Sequence, residues 1–233
     1  MRLTRQSGFT LVQLMISMVL GSIVILGASQ LYAGIVTSGA NARANITLTH
    51  QVRTLFFTLS SDLRRSGYWE PDLSTAALWN NPFTSPENDL RTGKLTDSPA
   101  NSCVLYSYDV TTNGVVDDGS VDPTITDRFG FRLNEASVQS FSGGTFSCDE
   151  GDWTTVTGPE IQVSELSFVI NQTCLNIQNN TTSSCPCAAG STCQTLRAVD
   201  LEITANWASS PDDEVTIGGS VHIRNDKFEL LVD

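Results

Sequence analysis

Gly8-Phe9-Thr10-Leu11-Val12-Gln13-Leu14-Met15-Ile16-Ser17-Met18-Val19-Leu20-Gly21, with its apolar continuation to Val36, decides how the rest of the chain is read. No charged side chain stands between Arg5 and Arg43. A helix needs about 20 mostly apolar residues to cross the hydrocarbon of a bilayer, so the run predicts a membrane helix. Ahead of it lies a short leader, Met1 to Gly8, carrying Arg2 and Arg5. Positive charge holds that end in the cytoplasm and sends the chain beyond the helix to the other side of the membrane.

An ordinary secretory signal carries its small-residue cleavage site after the apolar core. Here the small residue, Gly8, precedes it. In that order, Gly8-Phe9-Thr10-Leu11 behind a basic leader resembles the class III signal of type IV pilins and type II secretion pseudopilins. The resemblance implies that a prepilin peptidase cuts between Gly8 and Phe9, that the new amino-terminal Phe9 is methylated, and that the apolar helix is retained. One position departs from the family: the fifth residue after the cut is usually Glu, and here it is Gln13. In the family that carboxylate neutralises the amino terminus of the neighbouring subunit. A lone carboxylate in hydrocarbon costs several kcal/mol and an amide costs less, so Gln13 suits a subunit with no neighbour ahead of it.

Working outward, Leu48, Val52, Leu55, Leu59 and Leu63 recur at spacings of three and four, the stripe of a helix with one face on a core. Arg64 and Arg65 suit a last helical turn, and Gly67 suits its stop. One helix from Phe9 to Ser66 would be roughly 85 Å long at about 1.5 Å per residue, so half of it must project from any small head. That is the lollipop shape of pilins. The words Asp62-Leu-Arg-Arg-Ser-Gly-Tyr-Trp69, Tyr106-Ser-Tyr-Asp109, Asp127-Arg-Phe-Gly-Phe-Arg-Leu133 and Val221-His-Ile-Arg-Asn225 look like the wording of PilW-type minor pilins, relatives of the J pseudopilin of type II secretion.

Residues 70–102 hold four prolines and no period of 2 or 3.6, and read as a long surface connection in which Trp79 and Phe83 either pin the loop or mark a partner surface. From Cys103 the chain alternates as strands do: Val104, Tyr106 and Tyr108; Ile161 and Val163, then Leu166, Phe168 and Ile170 with a slip at Glu165; Val199 to Trp207; Val215 and Ile217; Val221 and Ile223. The slip and the pair Gly218-Gly219 are candidate bulges or turns. The fold expected is α+β, a type IV pilin-like long helix packed on an antiparallel sheet. Its parts are a leader (1–8), a membrane and filament-core helix (9–36), the amphipathic half of the helix (37–68), a surface loop (69–102) and a β-rich periplasmic head (103–233).

Two constellations could carry chemistry. Asp109, Thr111, Asn113 and Asp117 place oxygens at positions 1, 3, 5 and 9 with Gly114 at 6, the front half of a calcium loop. Ser120 stands where position 12 needs Glu, with Asp117, Asp118 and Asp122 as further donors nearby. The same stretch also reads as a β-hairpin tipped by Asn113-Gly114. The second constellation is six cysteines, Cys103, Cys148, Cys174, Cys185, Cys187 and Cys193, which in an exported domain imply disulfides and admit 15 pairings. Cys103 and Cys148 bracket the hairpin region and are joined in this reading. Two bridges among the other four would staple the polar excursion 174–193, and zinc held by Cys185, Cys187 and Cys193 is the alternative.

Twenty-five acidic against thirteen basic residues give a formal charge of −12, which discourages direct contact with nucleic acid. His50 and His222 belong to no nucleophile, metalloprotease or phosphate-loop motif, and Asp212-Asp213-Glu214 read as a solvated turn, so no enzyme is expected. What the resemblance implies is a minor pilin, held in the bacterial inner membrane with a periplasmic head. It would then join other minor pilins, the major pilin and a large tip adhesin on the assembly platform, priming the pilus and sitting at its tip. A type II secretion pseudopilin and a tip-exposed ligand-binding head are the alternatives.

Overall fold

The computed structural model describes residues 10–70, 80–122 and 125–230, apart from the side chains of residues 40 and 41. Gly8, Phe9 and Trp79 therefore lie outside the described residues. The chain divides into two compact units, Met1–Thr47 and Leu48–Asp233. Helix α1, Leu11–Leu63, supplies the described part of the first and opens the second.

In the first unit the described side chains are exposed, Leu11, Met18, Val24 and Leu31 among them. The helix is long and apolar enough to cross a membrane. Its hydroxyls turn onto their own backbone: Ser17 donates to Gln13 O at 2.8 Å, Ser22 to Val19 O at 2.8 Å, Ser29 to Ile25 O at 2.7 Å and Thr37 to Ala33 O at 3.0 Å. Such internal pairing is what a polar group needs where no water reaches it.

In the second unit the expected stripe is the buried one. Leu48, Val52, Leu59 and Leu63 are 0–1% exposed, each burial worth about 1.5–3 kcal/mol, and Leu55 is partly buried beside them. Beyond Leu63 the chain turns through Gly67 at a φ of 74°, which a side chain would oppose.

The strands form two antiparallel sheets where a single sheet was expected. The first is a meander of β1 (Arg91–Gly93), β2 (Cys103–Ser107), β3 (Arg128–Asn134), β4 (Ser137–Gly143) and β5 (Asp152–Thr155). The second is built around β8 (Thr192–Trp207), with β6 (Ile161–Asn176) on one side and β9 (Ser210–His222) and β10 (Lys227–Leu230) on the other; β7 (Thr181–Ser183) extends β6. Phe168 N donates to Asn101 O and Val163 N to Ala136 O, both at 2.9 Å, tying the sheets together. One core joins the helix stripe to Val104, Tyr106 and Phe131 of the first sheet and to Phe168, Leu201 and Ile203 of the second.

Two expectations are corrected. Gly218-Gly219 is no turn: it lies inside β9, paired with Glu202 and Leu201. A Cβ on Gly219 would stand 3.2 Å from the Phe56 ring, so a small residue lets the helix approach. Asp212-Asp213-Glu214 belong to the exposed start of the same strand. In the loop before β2, Phe83 is at 0% and Leu90 at 6% exposure, so of the two readings left open for Phe83 the structure takes the one in which it pins the loop. The loop carries no period because it is held at separate anchors: Asn81 caps the short turn Pro82–Thr84, and Asp89 pairs with buried Arg197 and, at 2.9 Å, with Lys227. The slip at Glu165 is a bulge against β8.

Candidate functional site

Gln13 lies in the first turn of α1. Its side-chain oxygen accepts from Thr10 N at 3.2 Å while Thr10 Oγ1 accepts from Gln13 N at 3.4 Å. This reciprocal cap satisfies two backbone donors that a helix start leaves open. The Thr-x-x-Gln spacing signalled it in the sequence, where the family comparison drew attention to charge instead.

Far along the chain, the four family-like words converge on the end of the helix. Asp62 accepts from the Tyr106 hydroxyl at 2.6 Å and from the Tyr108 hydroxyl at 3.0 Å. Burial, with the Asp62 charge beside it, lifts Tyr106 well above the ordinary phenol range and pushes Tyr108 up to about 12. Asn225 Nδ2 donates to Arg65 O and Ser66 O, both at 3.2 Å, and Arg224 N donates to Arg64 O, so the late strand's exit holds the carbonyls of the turn that follows the helix. Gly67 N bonds Ser107 O and Asp109 N bonds Tyr68 O, zipping the chain beyond the helix onto β2. Gly130, from the third word, lies where a Cβ would meet Val104 O at 2.8 Å. These residues clasp helix to sheet.

The Asp109 to Asp127 stretch is an irregular loop with one isolated bridge among the described residues, Asp118 to Thr126; the hairpin tipped by Asn113-Gly114 does not form. Its carboxylates fold the backbone in place of a strand ladder. Asp109 accepts from Asn113 N at 3.2 Å, Gly114 N at 2.9 Å and Glu70 N at 3.3 Å. Asp127 accepts from Val110 N and Asp117 N, both at 2.9 Å. Burial raises the Asp127 carboxyl, opposed by those two N–H donors and helped by the charges of Asp117 and Asp109. Asp117 accepts from Asn113 Nδ2 at 3.0 Å and Thr111 Oγ1 at 3.4 Å. The four oxygen residues read as a calcium set are thus brought together and bonded to N–H and O–H donors.

All six cysteines are bridged: Cys103 to Cys148, Cys174 to Cys185, and Cys187 to Cys193. The first bridge lies with Leu105, Phe146 and Trp153. The other two are neighbours, with the sulfurs of Cys174, Cys187 and Cys193 all within 4.8 Å of one another. An apolar groove of about 350 Å³ opens between the helix and the sheets, walled by Val52, Leu55, Leu59, Phe131 and Ile161, with Glu160 at its rim. His50 is exposed on α1 and His222 ends β9.

A family described as prepilin peptidase-dependent protein B matches residues 41–223, and a prokaryotic N-terminal methylation motif matches residues 3–29. The chain is also similar to prepilin peptidase-dependent protein B of Escherichia coli (strain K12), 25% identical over 169 residues, which cover 72% of this chain and 79% of that protein. No solved structure matches.

Proposed function

Because this chain belongs to the prepilin peptidase-dependent protein B family and opens with an N-terminal methylation motif, we propose that it is a minor pilin of the PilW type, working at or near a pilus tip. Type IV pilin-like membership is the firm ground. The observation that carries the rest is the N-terminal order: a basic leader, Gly8, then a capped helix whose apolar side chains from Leu11 to Val36 are outward. Prepilin peptidase removes residues 1–8, and Phe9 becomes the methylated start. The helix over 9–36 anchors the protein in the inner membrane and later packs among the helices of other pilins in the filament. Beyond the 37–68 half and the 69–102 loop, residues 103–233 form a periplasmic head that meets other minor pilins, the major pilin and a tip adhesin.

In this reading Gln13 has two roles. It caps its own helix, and as a neutral amide it needs no amino terminus from a subunit ahead. The protein is structural, and its Asp62–tyrosine clasp fixes the helix that assembly would load. The same features fit a type II secretion pseudopilin, which the neighbouring genes would identify.

The test is the intact mass and amino-terminal sequence of the chain from its host's membrane and sheared-pilus fractions. A chain beginning at methylated Phe9 in the pilus fraction is expected. One still beginning at Met1, confined to the membrane of a host with active prepilin peptidase, would overturn the proposal.

A further inference from the structure

We propose that the two neighbouring bridges at the β6–β8 end of the second sheet form a thiol-exchange site, entered at Cys185 by an external thiol. Cys174, Cys187 and Cys193 are buried, at 1%, 5% and 0% exposure, whereas Cys185 is exposed in the polar loop after β7. An incoming thiolate therefore meets Cys185 before any other sulfur of the group. Attack there forms a mixed disulfide on Cys185 Sγ, breaks the Cys174–Cys185 bond and leaves its electron pair on Cys174 as a thiolate.

The next step is set by distance. Cys174 Sγ lies within 4.8 Å of both sulfurs of the Cys187–Cys193 bridge, which puts that bridge beside the freed thiolate. Thr195, itself buried, places its hydroxyl 3.3 Å from Cys174 Sγ and 4.0 Å from Cys193 Sγ, where its proton steadies the thiolate. Cys174 attacks Cys193, forming Cys174–Cys193 and expelling the Cys187 thiolate. Cys187 attacks Cys185 of the mixed disulfide, forming Cys185–Cys187 and returning the external thiolate. Two bonds form and two break within the protein, no electrons are gained or lost, and the thiol acts as a catalyst. Its chemical class is a small thiol or the reactive cysteine of an exported disulfide-exchange protein. The Cys103–Cys148 bridge, packed in a different cluster, stays outside the exchange and serves as an internal control.

The probe is reduced glutathione, added to the full-length protein in detergent at neutral pH, followed by acid quench, alkylation and peptide mapping of the bridges. The expected starting map is Cys174–Cys185 with Cys187–Cys193. Glutathione should then appear on Cys185 at about tenfold or more over any other cysteine, with Cys174–Cys193 peptides growing in and Cys103–Cys148 unchanged. An adduct led by another cysteine, an unchanged map, or a different starting map overturns the proposal. A second reading uses Cys185→Ser, which leaves the Cys174 thiol beside the remaining bridge. Without added thiol, its free sulfur should be found on both Cys174 and Cys187; a free thiol confined to Cys174 overturns the exchange as well.

Discussion

Asp62 shows what a single carboxylate does in this molecule, since it closes the hydrogen-bonding needs of two tyrosines at the helix end. Removing it in Asp62→Ala leaves the Tyr106 hydroxyl, in a fully buried residue, without its acceptor, a loss of about 1–3 kcal/mol. A drop of roughly 3–10 °C in melting temperature is expected by calorimetry, and Asp62→Asn, which keeps an acceptor, should lose less. The tyrosines also set an alkaline limit. Their folded pKa values lie above the unfolded value of about 10, so their contribution is whole below pH 10. It falls as pH rises towards about 12, where Tyr108 ionises in the fold. Melting temperature against pH should decline through that window, and less steeply in Tyr108→Phe. At Asp109 and Asp117 the oxygens already hold N–H and O–H donors, so millimolar calcium should leave the melting temperature unmoved; a rise would restore the ion to this loop. At Gln13, Gln13→Glu should leave the number of assembled pili flat, and a large increase would argue against a tip position.

For the elements, periodicity was a good guide to what forms and a poor guide to what pairs. The stripe from Leu48 to Leu63 and the alternation from Val199 to Ala205 named buried faces, because a helix and a strand each repeat a single geometric rule. The division into two sheets was not legible, since alternation says which face is apolar and nothing about the neighbouring strand. Nor was the anchoring of residues 81–90, which depends on Asp89 meeting Arg197, 108 residues away. The clasp was visible only as four separate words, and only folding brings Asp62, Tyr106 and Asn225 together. Gly130 is the clearest case of a word with a packing reason: in Gly130→Ala the new methyl must displace β2 at Val104 O, costing about 1–3 kcal/mol, readable by urea titration of the folded protein. The Cys103–Cys148 bridge closes a span of 45 residues around β2 to β4, so the double serine variant should lose about 4 kcal/mol, more than either shorter bridge contributes.

Across the whole molecule, the N-terminal segment and the head were read from different kinds of signal. The segment declared itself by the absence of charge over a long run and by the order of Gly8 and that run. The head's class followed from strand alternation, and its family from the match over residues 41–223. If the full chain is processed as proposed, its mass falls by the eight leader residues and rises by one methyl group, a difference that intact mass spectrometry resolves directly. The four hydroxyls of Ser17, Ser22, Ser29 and Thr37 carry a wider consequence. Each is wired to a carbonyl of its own helix, so that wiring reads the same whether acyl chains or other helices lie alongside. Moving between those two oily surroundings asks nothing of these groups but a new fit of shape, which makes the segment portable.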